Sequence, residues 1–197
     1  MNDVAMGLGL ECGAVAAFCD ASADGFTSDV KKIEQRADFE ISKADSEAEI
    51  FAIDPGTEIS GWVRYQNGKV IASGVTENSE LLQAIQFEGR VLDLLAIEMI
   101  ASYGMPVGRE VFETCVWIGR FIQAWPGTHR LVYRKDVKMH LCGTNKAKDA
   151  NVRQALLDKV GAPGVKRKPG PTYGVKSHAW AALGVAVTAA ETEVRPA

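Results

Sequence analysis

Two acidic residues stand where acids are costly, and they are the first sign of chemistry in the sequence. Asp54 closes the apolar run of EIFAIDPG just before a Pro-Gly turn, and Glu98 holds the corresponding place in LLAIEMI. A carboxylate ending a buried strand needs compensation, and two such ends on one sheet can lie side by side. A divalent cation supplies it. Hard oxygen donors select magnesium or manganese, and two ions about 3.5 to 4 Å apart are a standard device for cleaving phosphodiesters. Each acid also has a plainer reading, Asp54 as an Asx-turn residue and Glu98 as an exposed strand end.

The elements that position these acids follow from pattern. The short, nearly continuous apolar run at 50–54 reads as a strand buried on both faces. GWVRYQ and GKVIASGV flank Asn67-Gly68, the strongest short hairpin signal, so three antiparallel strands come in a row. SELLQAIQFE reads as a helix capped by Ser79, and VLDLLAIEMI as a buried strand ending near Glu98. In GREVFETCVWIGRFIQAW, residues Val111, Cys115, Ile118 and Ile122 form one helical stripe. LVYRKDVKMHLCG is expected to be a strand, 149–160 a helix, 161–174 a Gly/Pro/Lys loop and 176–190 a final Ala-rich helix. This order implies an α/β domain built on a mixed sheet, over residues 49–192. Residues 1–48 show no sustained period and read as a poorly ordered extension, with one short helix possible over Asp29–Ala37.

Composition narrows the class. With 47% apolar and 24% charged residues in 197, wholesale disorder, collagen and a disulfide miniprotein are excluded. The net charge of −3 hides an asymmetry: residues 130–176 hold 12 bases against 3 acids. Such a segment suits a polyanionic partner or, more plainly, a solvated loop face. Cys12, Cys19, Cys115 and Cys142 form no CxxC pair and read as reduced thiols. Neither a signal peptide nor an apolar run near the ~18 residues of a membrane span is visible, so a cytoplasmic protein with no membrane partner is expected.

Taken in order, IDPGTEISGW, LLAIEMI followed by a helix, LVYRKDVKMHLCGTNKAKDANVRQAL and SHAWAALGVAVTA resemble the RuvC-type Holliday-junction resolvases of the ribonuclease H-like superfamily, in a phage or prophage form. The resemblance covers about residues 50–190. It implies a ribonuclease H-like fold, a mixed five-stranded sheet with helices on both faces. It also implies a homodimeric crossover junction endodeoxyribonuclease that cuts branched DNA, a four-way junction or fork, with two Mg2+ or Mn2+ ions per site. Its metal-binding acids map onto Asp54 and Glu98, with His178 as the third ligand. Lys138, Lys146 and Lys148 map onto its DNA-contacting lysines, and Arg153, Lys166, Arg167 and Lys168 extend that basic surface.

Two departures stand out. In the last helix the family presents a second acid three residues on, where this chain has Ala181. His178 then reads either as a ligand or as a capped or core histidine, and Asp149 either as a recruited ligand or as a helix N-cap. The family's stacking aromatic after the glutamate is absent, and Tyr103 is the nearest substitute, for stacking on a base or for local packing. Trp117 and Phe121 mark either a dimer face or a sheet-packing face. Two other classes remain: a catalytically impaired DNA-binding module, and the ATP-binding fold of actin, sugar kinases and 70-kilodalton chaperones, which opens with the same DxGT. The latter needs a second phosphate loop and subdomain, for which about 145 residues are too few.

Overall fold

The computed structural model describes residues 49–88, 94–102, 104 and 106–192. The expected extension, its helix at Asp29–Ala37 and Tyr103 lie outside the described residues. Strands β1 (Ile50–Asp54), β2 (Ile59–Gln66) and β3 (Lys69–Glu77) form the expected antiparallel series, turning at Asn67 and Gly68, both at positive φ. Helix α1 (Asn78–Glu88) follows, then β4 (Leu94–Met99), α2 (Arg109–Ala124) and β5 (Thr128–Tyr133). Helices α3 (Arg134–Cys142) and α4 (Asp149–Val160), a hairpin of β6 (Gly164–Val165) and β7 (Lys168–Pro169), and helix α5 (Ala179–Glu191) complete the order. The sheet runs β3-β2-β1-β4-β5, with β4 and β5 parallel to β1.

Central β1 and β4 are buried on both faces, which explains their unbroken apolar runs. Period-two alternation sends Ile53, Leu95 and Ile97 to one face, against Leu81 and Ile85 of α1 and Ile118, Phe121 and Trp125 of α2. Ala52 and Ala96, paired in register, go to the other face and meet α5. That helix is apolar nearly all round, as a fully enclosed helix must be. Small residues on both sides let it lie close to the sheet.

One expectation needs correction, and one alternative is decided. The stretch LVYRKDVKMHLCG is not one strand: the strand stops at Tyr133 and Arg134 opens a helix. After Tyr133 no β-branched run continues. Val137 and Leu141 instead fall on one helical face and pack into the core, Asp136 and His140 suit the two ends of the helix dipole, and Gly143 closes it at φ 69°. Phe121 is fully buried against the sheet, so the packing reading of that helix face holds for it. Smaller shifts occur at α1, which starts at Asn78 so that Ser79 lies inside it, and at 161–174, which contains the β6/β7 hairpin.

Close approach is most demanding at Gly61, which pairs with Asp54 across β1 and β2. A Cβ there would lie 2.4 Å from the carbonyl carbon of His178 and 2.7 Å from the nitrogen of Ala179, both backbone atoms. We therefore expect Gly61→Ala to push the start of α5 off the sheet and to destabilise the fold by about 1 to 3 kcal/mol. Urea denaturation checks this, and an unchanged midpoint would contradict the close packing of α5 on β2.

Candidate active site

The sheet register alone brings the acids together. Ile53 and Ile97 are in register on neighbouring parallel strands, so Asp54 and Glu98 are the next pair and point to the face that carries Ala52 and Ala96. That is the α5 face, and the residue leading into α5 is His178. Its Nδ1 lies 3.2 Å from Asp54 Oδ2. His178 is the N-cap residue of α5 by position, but its side chain makes no capping hydrogen bond and is more than half exposed, so it is not a core histidine. The register places the two carboxylates side by side, with Arg134 on Glu98 and His178 on Asp54.

Asp54 is held from behind by a network that sequence reasoning missed. Buried Asn78 donates through Nδ2 to the Gly56 carbonyl at 3.0 Å and accepts from Ser60 Oγ at 2.6 Å. The Gly56 amide in turn donates to Ser60 Oγ at 3.4 Å. The Pro-Gly turn is thereby fastened to the start of α1. The Asn78 amide serves at once as donor and acceptor, and nothing in the spacing marks it.

Arg134 is the second residue that the sequence did not single out. Its Nη1 lies 3.2 Å from Glu98 Oε2 and its Nη2 donates to Asp149 Oδ1 at 2.7 Å. Lys138, one turn further along α3, reaches the same Asp149 oxygen at 3.9 Å. Asp149 is therefore not the N-cap of α4. That place belongs to Lys148, whose amide donates to Asn151 Oδ1 at 3.0 Å. The only advance signal was that Arg134 and Lys138 are four apart, which matters once the segment is helical.

Ionisation follows from these contacts. Burial raises Asp54, against the lowering pull of His178 and Arg134. Burial first, and the Asp54 carboxylate second, push Glu98 up from 4.5 to about 7 despite Arg134. The hydrogen bond from Arg134 holds exposed Asp149 below its ordinary value.

A cleft of about 490 Å³ opens over Asp54, Glu98 and Arg134 and is also lined by Asp149, Arg153 and His178. Arg153 lies over the Trp180 ring at 4.7 Å, and Ala181 lies on the cleft wall. Lys146 and Lys148 are exposed in the turn that leads to Asp149. Lys166, Arg167 and Lys168 are exposed on the β6/β7 hairpin, and no hydrogen bond places them beside the acids. Arg130 belongs to the scaffold instead, donating to the Ala189 and Thr192 carbonyls at the end of α5.

For a metal the donor set gives a divided answer. Asp54 and Glu98 are hard oxygen donors, largely shielded from solvent and side by side, as suits a divalent cation. Yet among the described residues no three His, Cys, Asp or Glu side chains converge as a metal shell. Arg134 occupies the ground between Glu98 and Asp149, so a centre of two ions does not fit the residues present.

The fold is shared with solved structures. Thermus thermophilus RuvC matches with a TM-score of 0.52 and 18% identity, over 71% of this chain and 92% of that one. T. thermophilus RuvC in complex with a Holliday junction substrate matches with a TM-score of 0.52 and 17% identity, over 72% and 92%. The architecture is therefore the ribonuclease H-like α/β fold, its mixed five-stranded sheet covered on both faces. No protein-family model and no curated protein matches the sequence. Among the described residues no helix is long and apolar enough to cross a membrane.

Glu98 gives a signed pH test. Its raised value means that the folded chain binds this proton more tightly than the unfolded chain. The stability so gained is complete below about 4.5 and is lost as pH rises through about 7. Glu98→Gln mimics the protonated form. In metal-free buffer it should be more stable than wild type at about pH 8, by at most about 3 kcal/mol, and equal to it at about pH 4.5. Denaturation at the two pH values checks this, and a less stable variant at pH 8 contradicts it.

Proposed function

We propose that this protein is a divalent-metal-dependent endonuclease that hydrolyses phosphodiester bonds in branched DNA, a crossover junction resolvase. The observation that carries the reading is the partly buried pair of carboxylates Asp54 and Glu98 at adjacent strand ends, with His178 Nδ1 3.2 Å from Asp54. The two carboxylates of Asp54 and Glu98, with His178 beside Asp54, are the side chains that would hold Mg2+ or Mn2+ together with water and phosphate oxygens, and the ion would supply Lewis-acid polarisation of the phosphodiester. The chain's own contribution is positional. The Asn78 network fixes the turn after Asp54, and the start of α5 fixes His178. Arg134 and Lys138 bring positive charge to the cleft, where the phosphate backbone would lie. Lys146, Lys148, Arg153, Lys166, Arg167 and Lys168 would extend that grip by neutralising flanking phosphates.

A four-way junction as substrate is supported by the fold shared with a RuvC solved on a Holliday junction. Such a junction offers two equivalent strands, which suits a symmetric pair of chains. Pairing would use the face of α2 that carries Phe112 and Val116, 61% and 55% exposed, rather than buried Phe121. A second reading, a DNA-binding module with impaired chemistry, is favoured by Ala181, which brings no carboxylate to the cleft wall.

Cleavage of four-way junctions, forks, flaps and linear duplex, with and without Mg2+ or Mn2+, separates the two. The expected result is metal-dependent cleavage of branched DNA. Asp54→Asn and Glu98→Gln should each lower the rate by ~100-fold or more while leaving junction binding intact. Full activity in either variant removes that acid from the chemistry, and tight junction binding without cleavage in any ion selects the module. Replacing Lys166, Arg167 and Lys168 together with alanine should reduce the salt slope of binding by about 0.9 for every phosphate that is no longer neutralised. An unchanged slope would make the hairpin a solvated turn.

A further inference from the structure

Arg134 is hard to reconcile with a pair of metal ions. Its guanidinium spans Glu98, through Nη1 at 3.2 Å, and Asp149, through Nη2 at 2.7 Å. It lines both the cleft that holds His178 and the neighbouring cavity behind Asp54, Pro55 and Met99. An arginine at such a place is a permanent charge, since it does not deprotonate in proteins, and its planar fork matches carboxylates and phosphates alike. The position is also built. Arg134 is the first residue of α3, directly after the strand that pairs with β4, and Lys138 repeats the positive charge one turn later on the same carboxylate. Two divalent ions beside Arg134 and Lys138 would set six positive charges against the three carboxylates of Asp54, Glu98 and Asp149. One ion with these two side chains gives four, and a DNA phosphate then completes the balance.

We propose that Arg134 stands in for the second ion: the centre takes one divalent cation, on the Asp54 and His178 side of Glu98, while the Arg134 guanidinium holds Glu98 and Asp149 and receives the phosphate. This rests on the nuclease reading above. Asp149 then acts as a positioning residue, orienting the guanidinium rather than binding metal. Ala181 acquires a reason as well, because a centre with one ion does not require a further carboxylate from α5.

The test is the stoichiometry of Mn2+ on the full-length chain without DNA, followed by the electron paramagnetic resonance signal of free Mn2+. Wild type should bind one Mn2+ per chain, and Asp54→Asn should bind none. Arg134→Ala, with Glu98 and Asp149 released, should bind a second Mn2+ or bind the first about tenfold more tightly. Arg134→Lys, which keeps the charge, should remain at one and serves as the folding control, with circular dichroism checked for both. Two Mn2+ on wild type, or Arg134→Ala indistinguishable from wild type, overturns the role of Arg134 and leaves the nuclease reading standing. No Mn2+ on wild type at millimolar metal overturns the metal centre itself. If Arg134→Ala does not fold, Arg134→Gln replaces it, with the same gain expected and the same contradiction if no gain is seen.

Discussion

Two carboxylates on neighbouring strands of a buried sheet repel each other, and each loses hydration; the surroundings of Asp54 and Glu98 are arranged around that repulsion. Burial disfavours both charges, so both carboxyls are raised above their ordinary values, Glu98 further by the Asp54 carboxylate beside it. The arrangement is imposed by register rather than by local preference. Once Ile53 pairs with Ile97 in a parallel ladder, the next residues must lie side by side on one face. The same alternation that buries Ala52 and Ala96 under α5 aims the acids at its first turn, so the core and the site share one geometric cause.

Supporting parts divide by the direction from which they hold the pair. From behind, Asn78 and Ser60 fasten the turn after Asp54. From above, α5 brings His178 onto Asp54, an approach that only a residue without a side chain at Gly61 permits. From the far edge, Arg134 offsets Glu98 and is itself held by Asp149. Each contact is modest alone. Together they fix an arrangement that the acids by themselves would oppose.

How much of this was legible in the sequence depends on the range of the signal. The hairpin at Asn67 and Gly68, the buried strands and the two strand-end acids could be read because turn chemistry and alternation are local. His178 was found only through resemblance to a family, since a lone histidine before an Ala-rich helix carries no signal of its own. The stretch beginning at Leu131 was misjudged because its valine and tyrosine favour a strand while Val137 and Leu141 set a helical period only after Arg134. That error hid Arg134 itself: in a strand, Arg134 and Lys138 have no reason to meet Asp149. Asn78 and Gly61 depend wholly on what packs beside them, which no window of sequence contains.

The central claim, that burial and the Asp54 carboxylate raise Glu98 until a cation offsets them, is tested most directly by carbon-13 NMR titration of the Glu98 side-chain carboxyl, with and without Mg2+. The account predicts a midpoint near 7 in metal-free protein and a clear fall when Mg2+ is added, since a bound cation favours the ionised form. A midpoint at the ordinary glutamate value of 4.5, unmoved by Mg2+, would contradict it.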